Sequence, residues 1–305
     1  MAFLRGFGAC VPERVVGNAE IAARVGKSPE WILEVCGISE RRWASPKVTV
    51  ADLGVRAAED CLTRSGVAAA SIGMVLVGSG SSERRFPGPA CVIAQRLGVP
   101  SGVPAIDLPM ASAGSLYGMA LASRLAGEFG NILVIGAEKM STVVDLEPAD
   151  PSTAILFGDG AGACLVSPDT GRLRIVDSVL HSDGAFAEDL RLGFDGVLTM
   201  NGMSVIMQAS RKIPGAINEL LAKHGVAASS IGLFVMHQAN QNLIVRVAKS
   251  VGVAPDRFYS NIAKYGNTSS ASMLIAASEC GTEPGSICFA AFGAGFHWGA
   301  LLAQS

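Results

Sequence analysis

Two segments of the chain are near copies of each other. Gly66–Val77 reads GVAAASIGMVLV and Gly225–Met236 reads GVAASSIGLFVM. Their first eight residues differ only at Ala70 against Ser229, and the copies start 159 residues apart in a chain of 305. A second pair, ILVIG at Ile132–Gly136 and ICFAA at Ile287–Ala291, recurs at nearly the same offset. Two matches at one spacing of about half the chain mark an internal duplication. Such a chain is constrained to two similar units, each with its own helices and strands.

Each half reads the same way. A helix, around Ala51–Ser65 or Ser204–His224, leads into the GVAA turn. A continuous apolar strand follows, then a loop and another helix. Continuous apolar strands alternating with helices predict an α/β fold with mixed, mostly parallel sheets covered on both faces. The boundary is expected near Val166–Pro168, giving halves 1–167 and 168–305. In such sheets chemistry gathers beyond the carboxyl ends of the strands. The strand Met74–Val77 runs out into Gly78-Ser79-Gly80. Its twin Leu233–Met236 runs out into His237-Gln238-Ala239-Asn240. The loop at Ser112 has a rough counterpart at Tyr265–Ser269. Packing about a pseudo-twofold axis would bring Ser112, His237 and Asn267 together.

Composition removes several classes of function. Charged residues are 16% of the chain and the net charge is −2, so the basic excess of a nucleic-acid binder is missing. The four histidines are scattered, and no metal site is expected. None of the seven cysteines forms a C-x-x-C pair, and most lie in apolar runs, as buried free thiols do. A reducing, cytoplasmic compartment is expected. The N-terminus has no charged segment followed by a long apolar one, so no signal peptide is expected. Pro284–Ser305 carries no Asp, Glu, Lys or Arg. Its apolar runs are short and broken by glycines, which predicts a buried strand–turn–strand and no membrane span.

Three residues stand out chemically, and each has a plain alternative. Ser112 precedes the apolar stretch AGSLYGMALASRLAG, so it sits at a helix start. It is either an N-cap or a nucleophile, and a nucleophilic hydroxyl needs a neighbouring base. His237 ends a buried strand, where a polar side chain is costly unless paired. It is either a satisfied core histidine or a working group in the cluster HQAN. Asn267 in YGNTS is either a turn-and-cap residue or an amide donor aimed at a carbonyl. Gly158–Gly162 lacks the G-K-[ST] ending of a phosphate loop. The glycine loop Gly293–Gly299 follows a strand, and its backbone N–H groups can face an oxyanion. His297 within it is expected to pack or face solvent.

Taken together, Asn18, Trp31, Gly37–Arg41, Phe86-Pro87, Phe157–Ala163, HQAN, YGNTS and FGAGFHWG resemble the thiolase superfamily. The likeness is greatest to the β-ketoacyl-[acyl-carrier-protein] synthases III, over nearly the whole chain. The resemblance implies a thiolase-like fold of two α/β halves in αβαβα layers. It also implies an acyltransferase of fatty acid or polyketide biosynthesis. In the family, the residue matching Ser112 is normally a cysteine that takes an acyl group from a coenzyme A thioester. Malonyl on acyl carrier protein is then decarboxylated, and its enolate attacks the acyl-enzyme. His237 and Asn267 match the residues that hydrogen-bond the malonyl thioester carbonyl. The backbone N–H groups of Ser112 and Ala294 match the oxyanion hole. Phe157, Leu198 and Met200 fall on acyl-pocket positions, Trp31 and Asn240 on other substrate-binding positions. Phe86 falls where a partner subunit closes the pocket, which implies a homodimer. No cofactor is implied beyond the coenzyme A thioester as substrate.

The departures from the family pattern are specific. Ser112 replaces cysteine. Val35 and the segment Asp150-Pro151-Ser152-Thr153 lack the two arginines that usually clamp coenzyme A. Asn242 replaces a basic residue often used to dock acyl carrier protein, although Arg246 and Lys249 remain nearby. A serine nucleophile needs a base, and His237 is the one evident in the sequence, with Asn267 as a third group. Three readings stay open at this point. The chain is an acyl-transferring relative that uses serine, a cysteine enzyme whose nucleophile was exchanged for serine to trap a ligand, or a non-catalytic subunit of a condensing enzyme.

Overall fold

The structure, a computed structural model, describes residues 1–146, 148–280 and 285–305. Nine strands form the main sheet: β1 (Phe3–Cys10), β2 (Ile72–Gly78), β3 (Ala105–Leu108), β4 (Asn131–Lys139), β5 (Asp159–Ser167), β6 (Leu173–Ser182), β7 (Leu233–Met236), β8 (Ser286–Gly293) and β9 (His297–Gln304). Six helices pack on them: α1 (Val50–Ser65), α2 (Pro89–Leu97), α3 (Gly114–Phe129), α4 (Gly202–Lys223), α5 (Gln241–Val251) and α6 (Ser272–Glu279). Two shorter N-terminal helices, Asn18–Val25 and Pro29–Cys36, flank the C-terminal half's core.

The repeated octapeptide folds the same way twice. Gly66 and Gly225 both take φ of 63°, which ends a helix in the left-handed region at no Cβ cost. Single 3-10 turns follow at Ala69–Ser71 and Ala228–Ser230, and each delivers the chain to a buried strand, β2 or β7. Helix α1 is fixed at its other end by a capping box between Thr49 and Asp52.

The sheet order is β7-β8-β9-β6-β1-β5-β4-β2-β3. Directions follow the duplication. β1, β2, β3 and β4 run one way with β5 opposed, as the pairings of each neighbour show. β6, β7 and β8 likewise run one way with β9 opposed. β1 and β6 meet antiparallel where the halves join. Each half is therefore mixed and mostly parallel, and β1, β5, β4 and β2 correspond to β6, β9, β8 and β7. The counterpart of β3 has shrunk to a single parallel bridge, Phe234 to Phe258.

Helix α1 covers β1, β4 and β5, and α4 covers β6, β8 and β9. Helices α3 and α6 lie between the two sets of strands, and α3 touches β2 and β4 of one set and β6, β8 and β9 of the other. This is the expected αβαβα layering. The charge-free C-terminal stretch is the β8–β9 hairpin, with Pro284 outside the described residues.

Candidate active site

The two central helices begin at the same place, and the loops before them carry the site. The loop before α3 leaves β3 through two tight turns, Met110 N–H to Leu108 C=O and Ala113 N–H to Ala111 C=O, both at 2.7 Å. Ser112, at the centre of the second turn, has φ of 64°, a left-handed conformation that a non-glycine residue adopts only under constraint. The N-cap of α3 is Ala113, with no side-chain cap. Ser112 is therefore not an N-cap. Its side chain, 7% exposed, is held just outside the helix's positive end.

The loop before α6 is bound to the other half by backbone. Asn267 N–H donates to Leu156 C=O at 2.8 Å, and Gly158 N–H donates to Asn267 C=O at 3.0 Å. Asn267 Oδ1 accepts Ser269 N–H at 2.9 Å, so the turn role read from the sequence is real. That bond also assigns the amide: the Nδ2 hydrogens are what Asn267 offers to the pocket.

His237 extends the β7–β8 ladder by one bond, donating its N–H to Ala290 C=O at 2.9 Å. Its Nδ1 lies 2.6 Å from Ser272 Oγ, which also accepts Gln238 N–H at 3.1 Å. Burial pushes the His237 pKa down to about 4, against a hydrogen bond with the Ser269 backbone that raises it. The ring is neutral at pH 7. Among the described residues, no carboxylate hydrogen-bonds the ring.

Ser112, His237 and Asn267 line one pocket, together with Phe157, Met200 and Asn240. The rest of its wall is mostly apolar, including Leu190, Ile213 and Phe292. Asn240 is already committed: its Oδ1 caps α5 through Asn242 and Leu243 N–H, and its Nδ2 donates to Val35 C=O at 3.0 Å. Other residues singled out by sequence lie off this wall. Leu198, on a short strand beside Met200, packs against the core. Trp31 is partly buried, with Lys27 Nζ 5.3 Å from its ring centre. Phe86 is 86% exposed and turned to solvent. Ala294 is half-buried beside Gly293, which does line the pocket. His297 is half-buried, its Nδ1 2.7 Å from Ser182 Oγ. Among the described residues no cluster of His, Cys, Asp and Glu could hold a metal, and no helix is long and apolar enough to cross a membrane.

Sequence reasoning missed Ser269 and Ser272. Ser112 N–H donates to Ser269 Oγ at 2.9 Å, and the two hydroxyl oxygens are 3.5 Å apart. The N–H expected to serve an oxyanion hole thus has a protein partner in this structure. The signal was present in the run TSSAS, but which serine faces which partner depends on contacts across the halves.

Duplicated α/β halves that meet at the tips of two central helices define a protein of the thiolase superfamily. Residues 106–184 match the profile of 3-oxoacyl-[acyl-carrier-protein] synthase III, and residues 221–305 that of its C-terminal region. The chain is 33% identical to β-ketoacyl-[acyl-carrier-protein] synthase III of Oleidesulfovibrio alaskensis, over 100% of this chain and 99% of that one. The crystal structure of 3-oxoacyl-[acyl-carrier-protein] synthase III from Aquifex aeolicus superposes with a TM-score of 0.95 at 32% identity, covering both chains entirely. The priming β-ketosynthase of the R1128 polyketide pathway gives 0.92 at 31% identity, covering 100% of this chain and 96% of that one. The chain belongs to the β-ketoacyl-[acyl-carrier-protein] synthase III family and is an acyltransferase.

Proposed function

We propose that Ser112 takes an acyl group from a coenzyme A thioester and passes it to malonyl on acyl carrier protein by decarboxylative Claisen condensation, or to another acceptor. The observation that carries this reading is the shared pocket: a hydroxyl at a helix tip, a neutral imidazole and a carboxamide open into one apolar cavity. His237 Nε2–H and the Asn267 Nδ2 hydrogens are two neutral donors. Two such donors suit a thioester carbonyl whose oxygen gains charge as carbon dioxide leaves. The apolar wall suits an acyl chain. Residues 1–167 and 168–305 act as the two halves, the first bringing the nucleophile position and the second the donor pair. The exposed Phe86 supports a homodimer in which each subunit's Phe86 reaches its partner, in a cytoplasmic enzyme.

An oxyester is a poorer acyl donor to carbon than a thioester, so condensation is the slower step here. The test is carbon dioxide release from malonyl-coenzyme A and malonyl-carrier protein, with and without an acyl-coenzyme A. The unmodified protein releases it. Asn267→Ala and His237→Ala each lower the rate on the order of 100-fold, the usual effect of removing one carbonyl donor. Release undiminished in both variants, or none from the unmodified protein with either carrier, contradicts the donor assignment.

A further inference from the structure

Asn18 and the stretch Gly37–Arg41 stood out in the sequence, and the chemistry above gives them no task. Arg41 is fully buried, on the short strand Glu40–Arg42 that pairs with Val15–Gly17. Its hydrogen bonds among the described residues all end on neutral oxygens. Nη1 donates to Asn18 Oδ1 at 2.8 Å and to Val16 C=O at 3.3 Å, and Nη2 donates to Ile155 C=O at 2.7 Å. Its Nε has no partner among the described residues. Burial pushes the pKa down to about 10, so the group is still charged at pH 7. A buried cation with no carboxylate bonded to it and an unpaired N–H is a poor device for stability alone.

What the guanidinium does hold is the segment on which Asn267 is mounted. Residues 155–158 lead into β5. Ile155 gives its carbonyl to Arg41, and Phe157 gives its carbonyl to the buried Trp43, whose Nε1 donates at 3.2 Å. The backbone groups next to these bind Asn267: Leu156 C=O accepts Asn267 N–H, and Gly158 N–H donates to Asn267 C=O. Phe157 and Asn267 thus form a single parallel bridge. The same residues press on the Asn267 side. A Cβ on Gly158 would lie 3.2 Å from Arg41 Cβ, and one on Gly266 would lie 3.1 Å from the same atom. Arg42, next in sequence, has its guanidinium 6.0 Å from the Tyr265 ring centre. Residues 41–43 therefore bear on both sides of the bridge at once.

We infer that Arg41 and Trp43 are positioning residues for Asn267: by fixing residues 155–158 they set where its amide stands in the pocket. This rests on the reading of Asn267 as a donor to the thioester carbonyl. Neither side chain lines the pocket, and both act through backbone. A carboxamide aimed at developing charge helps only when held at its working position, and a displacement of about 1 Å caused from outside the site costs up to about 100-fold. The arrangement also accounts for the choice of side chain. A guanidinium is a planar fork that spans Asn18 and Ile155 together, whereas a lysine ammonium is a single point. Asn18 is itself held, its Nδ2 donating to Ile38 C=O at 2.7 Å. The fork is therefore anchored at one end and grips the Asn267 mount at the other.

The experiment is a double-mutant cycle on carbon dioxide release from malonyl-coenzyme A. Arg41→Lys and Trp43→Phe are each made in the unmodified protein and again in an Asn267→Ala background. In the unmodified protein each lowers kcat about 10-fold and leaves KM nearly unchanged, because the weakened interaction belongs to the transition state. In Asn267→Ala the same changes add little, because no amide remains to be aimed. Trp43→Phe removes one N–H and keeps a buried ring, so it serves if Arg41→Lys does not fold. A loss of equal size in both backgrounds would show that the two residues only support the fold, and would overturn the positioning role. Undiminished release from both variants in the Asn267 background would overturn it as well. No release from the unmodified protein would instead remove Asn267 as a donor, and its positioning with it.

Discussion

His237 shows how one buried ring can be placed in a role by its neighbours. An imidazole with no carboxylate behind it and a serine hydroxyl on Nδ1 is built to stay neutral. Its pKa, pushed down to about 4, has a consequence for stability. The unfolded chain binds a proton at this residue near pH 6.5 while the folded chain does not. Its contribution is therefore complete above about pH 6.5 and is lost as pH falls toward 4, by roughly 3 kcal/mol. Urea unfolding at several pH values should show this extra acid sensitivity, and His237→Gln should lack it. Equal pH slopes for both proteins would contradict the buried, neutral assignment. At this scale the sequence was partly legible. Ser112 and His237 stood out because each is polar where an apolar run ends, and Asn267 because it follows a glycine in the polar turn YGNTS.

The elements place these residues by close approach of backbone. Strand β4 passes so near the loop before α6 that a Cβ on Gly136 would lie 2.2 Å from Ser270 C=O. Gly136→Ala must push that loop, and Ser269 with it, away from Ser112. Overpacking of this kind costs about 1–3 kcal/mol or more. Chemical denaturation should show the loss, and acyl transfer should fall further than stability alone explains. A variant as stable and as active as the parent would show that the loop has room. Helices and strands were legible from their apolar periods, and α1 and α4 start within two residues of the expected points. Less legible were β5 and β9, the reversed strands. A strand buried on both faces reads as a continuous apolar run whichever way it points. The expectation of a capping serine at α3 failed for a related reason: the helix starts at Gly114, and constraint from the opposite half turns Ser112 out of the cap position.

At the scale of the molecule, the duplication is the cause of the site. Two equivalent loops, each before a central helix, meet across the axis, and they have diverged into different tasks. One carries Ser112; the other carries Asn267, Ser269 and Ser272. The bonds from Ser112 N–H to Ser269 Oγ and from Ser270 Oγ to Met110 C=O, at 2.9 and 2.7 Å, stitch them directly. The repeat GVAAxSIG was enough to foresee that the loops converge, because similar halves packed about an axis leave little choice. It did not show which side chains pair, since that is set by the residues where the halves differ. The most direct measurement is intact-protein mass spectrometry after incubation with a panel of acyl-coenzyme A thioesters, followed by peptide mapping. The account predicts a mass increase of one acyl group, carried on the peptide that contains Ser112 and absent from Ser112→Ala. An unmodified mass with every thioester, or an acyl group carried on any other residue, would contradict it.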